Sequence, residues 1–157
     1  IKMHLNHRRK VILSLTLSAC VSNKAMPDSA IQNSEPNTSL MAFEEVCIKT
    51  APSFSGAKAA AAKYGITDIE DMGFTHSGMS KDQSIGVQIK PNNECVITTP
   101  SQKTANLTRE FLQVVSRNSN TAPPTRVPMK AQIGGAIFIF HHDRKGGEAF
   151  VMLKANG

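Results

Sequence analysis

Large aromatic side chains are scarce in this chain of 157 residues, which has no tryptophan and one tyrosine beside seven phenylalanines. That leaves little to stack on unpaired bases. Apolar runs are short as well. The one near the start, Val11-Ile12-Leu13-Ser14-Leu15-Thr16-Leu17, falls well below the roughly 20 apolar residues that span a bilayer as a helix. Catalytic signatures are missing too: there is no Gly-x-Ser-x-Gly elbow, no phosphate loop and no dinucleotide fingerprint. Neither an His-x-x-x-His pair nor loop cysteines at zinc-ligand spacing occur.

Positive charge is present but unevenly placed. The chain carries a formal +6, of which Lys2, Arg8, Arg9 and Lys10 supply four within residues 1–19, where there are no acids, so the remainder is 6 − 4 = +2. Those four cations precede the apolar run, and small residues follow it. This three-zone order is that of an export signal, removed on maturation. The lysines beyond it are scattered rather than clustered, so no nucleic-acid partner is expected.

The run ends on Leu17-Ser18-Ala19-Cys20, which resembles the lipobox of bacterial lipoproteins at all four positions. The resemblance implies that Cys20 is acylated, becomes the new N-terminus and holds the protein on a membrane. In that family an Asp directly after the cysteine marks retention on the inner membrane. This chain has Val21 there, so the resemblance implies the outer membrane.

With Cys20 assigned to lipid, Cys47 and Cys95 remain, in a compartment that permits disulfides. A bridge between them would close a loop of about 48 residues and contribute on the order of 4 kcal/mol. Two buried free thiols, or a nucleophilic cysteine with a histidine partner, account for the same residues. A second, looser resemblance covers Phe43 to Phe54, the Ala-rich stretch after it and Cys95: these look like a pattern in small exported bacterial proteins. It implies an α+β domain with a Cys47 to Cys95 bridge, and no activity.

Composition divides the chain into a signal over 1–19, a polar tether rich in Ser, Asn and Pro over 20–38, and one domain over 39–157. The spacing predicts a helix capped by Ser39, with Leu40, Phe43, Val46 and Cys47 on one face and Pro52 as its stop. A second helix starts at Ser53 or Ser55, runs through Ala57 and Ala59 to Ala62 and ends at Gly65. Ile85, Val87 and Ile89, the turn at Pro91-Asn92-Asn93 and the return through Cys95 to Ile97 read as a hairpin. Thr104 opens a third helix bearing Leu107, Phe111, Val114 and Val115, and 117–130 reads as a long irregular loop. Gly134-Gly135 reads as a bulge or a close backbone approach.

The C-terminal segments 136–142 and 148–153 read as a hairpin closed at Asp143-Arg144-Lys145-Gly146, with His141 opposite Glu148. That register puts Ile137, Ile139, Phe150 and Met152 on one face, and Phe138, Phe140, Ala149, Val151 and Leu153 on the other. Both faces are then apolar. Either both are covered within the monomer, or Phe138, Phe140 and Val151 mark an interface through which the hairpin self-associates or meets a partner.

Candidate metal ligands are His141, His142 and Asp143, with His76 and Glu148 as additions. Adjacent strand residues point to opposite faces, which makes the set a poor chelate, and a histidine paired with Glu148 explains it as well. No cofactor is expected. The sequence thus reads as an α+β domain, two short helices, a hairpin, a helix and a final hairpin in a largely antiparallel sheet. Its expected role is a lipid-anchored, non-catalytic binding or assembly accessory of the cell envelope with a protein partner there. The alternatives are an inhibitor of an envelope-attacking enzyme such as lysozyme, using the loop over 117–130, and a small hydrolase or metal-binding protein using His141 or His142.

Overall fold

The computed structural model describes residues 36–122 and 126–156. The expected signal, the lipidation residue Cys20 and the tether up to residue 35 lie outside the described residues, as do 123–125 of the expected long loop.

The first helix, α1 (Thr38–Ala42), starts two residues earlier than a cap at Ser39 would set it. Asn37 is the cap: its Oδ1 accepts from the backbone N–H of Ser39 at 3.1 Å and of Leu40 at 3.3 Å. Ser39 is buried instead, its hydroxyl donating to Asn37 Oδ1 and accepting from Gln102 Nε2. The chain continues through a π-helical turn, Phe43–Cys47, and a 3-10 turn, Ile48–Thr50, before Pro52. Leu40, Phe43, Val46 and Cys47 are all buried, as their spacing predicts. Helix α2 (Ala57–Ala62) begins after Gly56 without a side-chain cap. Ser53 and Ser55 hydrogen-bond to each other rather than to the helix. Ala57 and Ala61 are fully buried against the π-helical turn, where a larger side chain would hold the two segments apart.

Helix α3 (Leu107–Ser119) carries Leu107, Phe111, Leu112, Val114 and Val115 on its buried face. It follows Asn106 rather than starting at Thr104, and ends on left-handed Asn120. The expected loop over 117–130 is therefore shorter at both ends. The helix takes its first residues, and strand β5 (Met129–Ile133) takes its last.

Seven strands form one antiparallel sheet in the order β1-β2-β3-β4-β7-β6-β5. They are β1 (Ile69–Asp71), β2 (His76–Met79), β3 (Gly86–Lys90), β4 (Glu94–Thr99), β5, β6 (Ala136–Asp143) and β7 (Glu148–Lys154). With helices packed on the sheet, the fold is α+β. It consists of two meanders, β1 to β4 and β5 to β7, linked through α3 and joined where β7 pairs with β4. The predicted β3–β4 hairpin is present with Ile89 opposite Cys95. Strands β1, β2 and β5 add to the two hairpins expected. In β2, Gly78 stands where a Cβ would come within 2.6 Å of the Asp68 carbonyl oxygen, so a strand that looks weak in sequence is glycine-bearing for close approach. Gly134 and Gly135, with φ of 57° and 82°, form the two-residue turn between β5 and β6 rather than a bulge.

The C-terminal hairpin is real, but its register differs from the expected one. His141 lies opposite Val151, and His142 opposite Phe150. The loop is longer than the predicted turn because Gly146 and Gly147 both adopt positive φ, with Asp143 Oδ1 accepting from Lys145 N–H. The shift is three residues, an odd number, so it exchanges which residues of the two strands share a face. Phe138, Phe140 and His142 share the inner face with Glu148, Phe150 and Met152, and all six are buried. The interface expected at Phe138 and Phe140 is thereby corrected: both side chains are fully enclosed, while Val151 stands on the other face.

The helices cover this inner face. Phe43 packs on Phe111, Phe140 and Phe150 with ring centroids 5.2, 6.3 and 6.2 Å away, and Phe54 packs on Phe138 at 5.9 Å. Cys47 and Cys95 form a disulfide, 48 residues apart in sequence, which fastens the helical layer to β4.

Candidate functional site

The densest polar cluster is buried at the end of the inner face where the β6–β7 loop meets the loop before α3. Glu148, first residue of β7, has its side chain 2% exposed, and that of His142 has no exposure. Their link is a hydrogen bond of 2.9 Å between His142 Nε2 and Glu148 Oε2. Arg144 closes over the carboxylate, Nε donating at 3.0 Å and Nη2 at 2.9 Å, and its remaining N–H groups reach the carbonyls of Gln102 and Thr104. The Gln102 backbone N–H donates to Glu148 Oε1 at 2.9 Å. On the far side of the imidazole, Nδ1 lies 2.8 Å from Thr108 Oγ1 on α3.

These partners set the protonation states. Burial, the largest influence on Glu148, pushes its carboxyl up. The hydrogen bonds from Arg144, Gln102 and His142 together outweigh it and hold the group below the usual carboxylate range. Burial also dominates at His142, lowering its pKa against the opposing pull of Glu148, so the ring is neutral at pH 7. An ionised carboxylate only accepts, hence Nε2 carries the proton and Nδ1 accepts from the Thr108 hydroxyl. The ring stacks on Phe150 with centroids 4.5 Å apart and faces Phe111 at 5.9 Å.

Hydroxyl, imidazole and carboxylate in series are the elements of nucleophilic catalysis. Here the imidazole is sealed between aromatic rings and the carboxylate is already neutralised by Arg144. A substrate atom has no approach to the base. The cluster acts instead as a clamp, binding three chain segments, 102–104, α3 and the β6–β7 loop, around one charge.

The expected metal ligands are not brought together. His142 spends both nitrogens inside the clamp, His141 projects from the opposite face, and Asp143 holds the Lys145 N–H at the loop. Nδ1 of His141 is buried without a hydrogen-bond partner. His76 lies on β2, across the sheet, with Nδ1 3.6 Å from Asp71. Among the described residues no group of three His, Cys, Asp or Glu side chains could hold a metal ion. The pairing of a histidine with Glu148 is present, but through His142 rather than His141. Sequence reasoning passed over Arg144, Gln102 and Thr108. The signal for Arg144 was its place four residues before Glu148 across a glycine-rich loop.

A second polar junction holds the start of α1. Asn37 Nδ2 donates to Gln102 Oε1 at 2.7 Å, and Gln102 Nε2 donates to Ser39 and Thr99 hydroxyls. Beside it an open groove of about 800 Å³ is lined by Pro36, Tyr64, Ser84, Thr99 and Gln102 among others. Its amides already satisfy one another. Glu44 and Glu45, adjacent in sequence, serve different partners. The Arg117 hydrogen bond, the leading influence, lowers the Glu44 pKa, whereas burial and then Glu45 push the Tyr64 phenol up to about 12.

The outer face of the sheet is the other notable surface. Val96, Ile139, Val151 and Leu153 are half-exposed and Ile137 is 53% exposed. None of these five belongs to the buried core, and the aromatic contacts made by the helices all fall on the inner face. No helix among the described residues is long and apolar enough to cross a membrane. No protein-family model, no curated protein and no solved structure matches this chain.

Proposed function

We propose that the protein is a lipid-anchored accessory of the bacterial cell envelope that binds or assembles rather than catalyses. The observation that carries this reading is Leu17-Ser18-Ala19-Cys20 at the end of a cationic and then apolar start. The Cys47–Cys95 disulfide supports it, because such bridges persist in oxidising compartments. The sealed His142–Glu148 pair favours a non-catalytic role over a hydrolytic one. With Val21 after the acylated cysteine, the outer membrane is the proposed site.

Growth with an alkyne-bearing palmitate tests the anchor. Label should enter the protein and vanish with Cys20→Ala, while the variant moves to the soluble fraction and keeps its melting temperature. A wild-type chain that takes up no label, or a variant that stays with the membrane, would overturn the reading. Density-gradient separation of the two membranes then tests the location.

A further inference from the structure

We infer that a cleft beside His76, between the segment 53–58 and strands β2 and β3, binds a small monocarboxylate. The cleft holds about 210 Å³, room for about seven waters or a ligand of about as many heavy atoms. Phe54 and Ile89, both buried, and Pro91 form its apolar side. Ser55, Lys58, His76 and Asn92 bring polar groups to it, and among the described residues no carboxylate lines it.

Those donors are unspent. Lys58 makes no ion pair among the described residues. Ser53 gives its hydroxyl proton to Ser55 at 3.1 Å, which leaves the Ser55 proton free. Asn92 spends its backbone N–H on the Ser53 carbonyl at 3.1 Å but not its side-chain amide. His76 Nδ1 is buried without a hydrogen-bond partner and lies 3.6 Å from Asp71, too far to bond but near enough to favour a proton on that nitrogen. Nε2 is neither sealed nor bonded among the described residues, so it serves whatever enters the cleft. Two residues of left-handed backbone also border the cleft, Phe54 with φ of 62° and Asn92 with 59°. Asparagine tolerates that region, whereas a phenylalanine there is strained, and strain of this kind gathers at ligand clamps.

Charge selects the ligand. With a proton on both nitrogens the His76 ring neutralises Asp71, and Lys58 remains as the one net positive charge at the cleft, which matches a monoanion rather than a dianion. The two oxygens of a carboxylate accept from several donors at once, and a short alkyl group fits the apolar side. Ser53 is bonded to Ser55 rather than to His76, so no hydroxyl is set up for attack and the cleft holds its ligand without cleaving it. The inference goes beyond the proposed function and does not depend on lipidation.

Proton NMR of the imidazole rings tests it, with butyrate titrated at constant ionic strength into the full chain carrying Cys20→Ala. The His76 signals should move saturably, with a dissociation constant in the millimolar range, while those of His141 and His142 stay in place. Butyramide, of the same shape without the charge, and sulfate, a dianion without the alkyl group, should each bind at least about tenfold more weakly. Lys58→Gln should weaken butyrate binding about tenfold, and Lys81→Gln, outside the cleft, should leave it unchanged. Circular dichroism melts confirm that each variant is folded. His76 signals that butyrate does not move saturably overturn the inference. Butyramide or sulfate binding as tightly as butyrate, or butyrate binding indifferent to Lys58→Gln, overturns it as well.

Discussion

His141 and His142 are neighbours on one strand, yet they live in different surroundings. His142 points inward, stacked on Phe150, with both nitrogens hydrogen-bonded and the carboxylate beyond it held by Arg144. His141 points outward among Val96 and Val151, and its Nδ1 has no partner. The same alternation divides the whole sheet. The inner face is closed by helices and a disulfide, and the polar cluster around Glu148 is fully satisfied. The outer face has a comparable apolar middle, but no helix among the described residues packs over it. Residue type therefore does not separate the two faces. What separates them is whether something covers them, and strand pairing decides which side chain goes where.

The difference should appear first in truncation. Phe140→Ala on the inner face should cost about 3–5 kcal/mol in urea unfolding, whereas Val151→Ala on the outer face should cost less than about 1 kcal/mol. Equal costs would mean that the two faces are equally enclosed. Removing the bridge with Cys47→Ala and Cys95→Ala together should lower stability by about 4 kcal/mol. In the denatured, unreduced parent, neither of those positions should react with an alkylating reagent. Glu148→Gln deprives Arg144 of its counter-charge and puts an NH2 donor where one of the two accepting oxygens stood, and should cost about 2–3 kcal/mol, against about 0.5 kcal/mol for His141→Gln.

The smallest effect is in pH. His142 has a folded pKa below its ordinary value, so between the two the unfolded chain holds a proton that the folded one does not. Stability therefore falls as pH drops below about 6.5. Glu148, also depressed, adds a second fall below about 4.5 as the carboxylate is protonated. Both have the same sign. Denaturant midpoints measured from pH 7.5 to 5 should decline in the parent and flatten in His142→Gln; an unchanged decline would place the titration elsewhere.

Much of the architecture was legible because it follows period and punctuation. Ile85, Val87 and Ile89 alternate, the stripe of α3 repeats every three to four residues, and two hairpins have turn residues between apolar runs. Strand β5 was obscured because its alternation of Met129, Ala131 and Ile133 with Lys130 and Gln132 is built from residues of modest strand propensity behind Pro128. The Gly134-Gly135 pair, a two-residue hairpin signal, was the cue for it. The C-terminal register was not legible: whether four residues or five lie between the last paired positions depends on the backbone angles of Gly146 and Gly147, which composition leaves open. That one uncertainty decided which residues of β7 join Phe138 and Phe140 on their face, Phe150 and Met152 rather than Val151 and Leu153. The clamp was half legible, since a His–Glu pairing follows from strand neighbours. Arg144 and Gln102 were hidden because they reach it from loops, and contact between loops follows no period.

The place of β7 has a consequence for how the chain reaches its native state. It is the last of the described strands to emerge in an N-to-C direction, yet it sits in the interior of the sheet, bound to β4 on one side and β6 on the other. The two meanders have no shared ladder until it arrives, and its pairing with β4 joins positions some fifty residues apart. Loop closure over that distance is slow compared with local hairpin formation. Until then β4 is an open edge and Phe43 lacks Phe150 beneath it. The sheet would therefore stay in two unjoined parts until β7 is available, with an open strand edge and uncovered apolar surface that favour aggregation in the meantime.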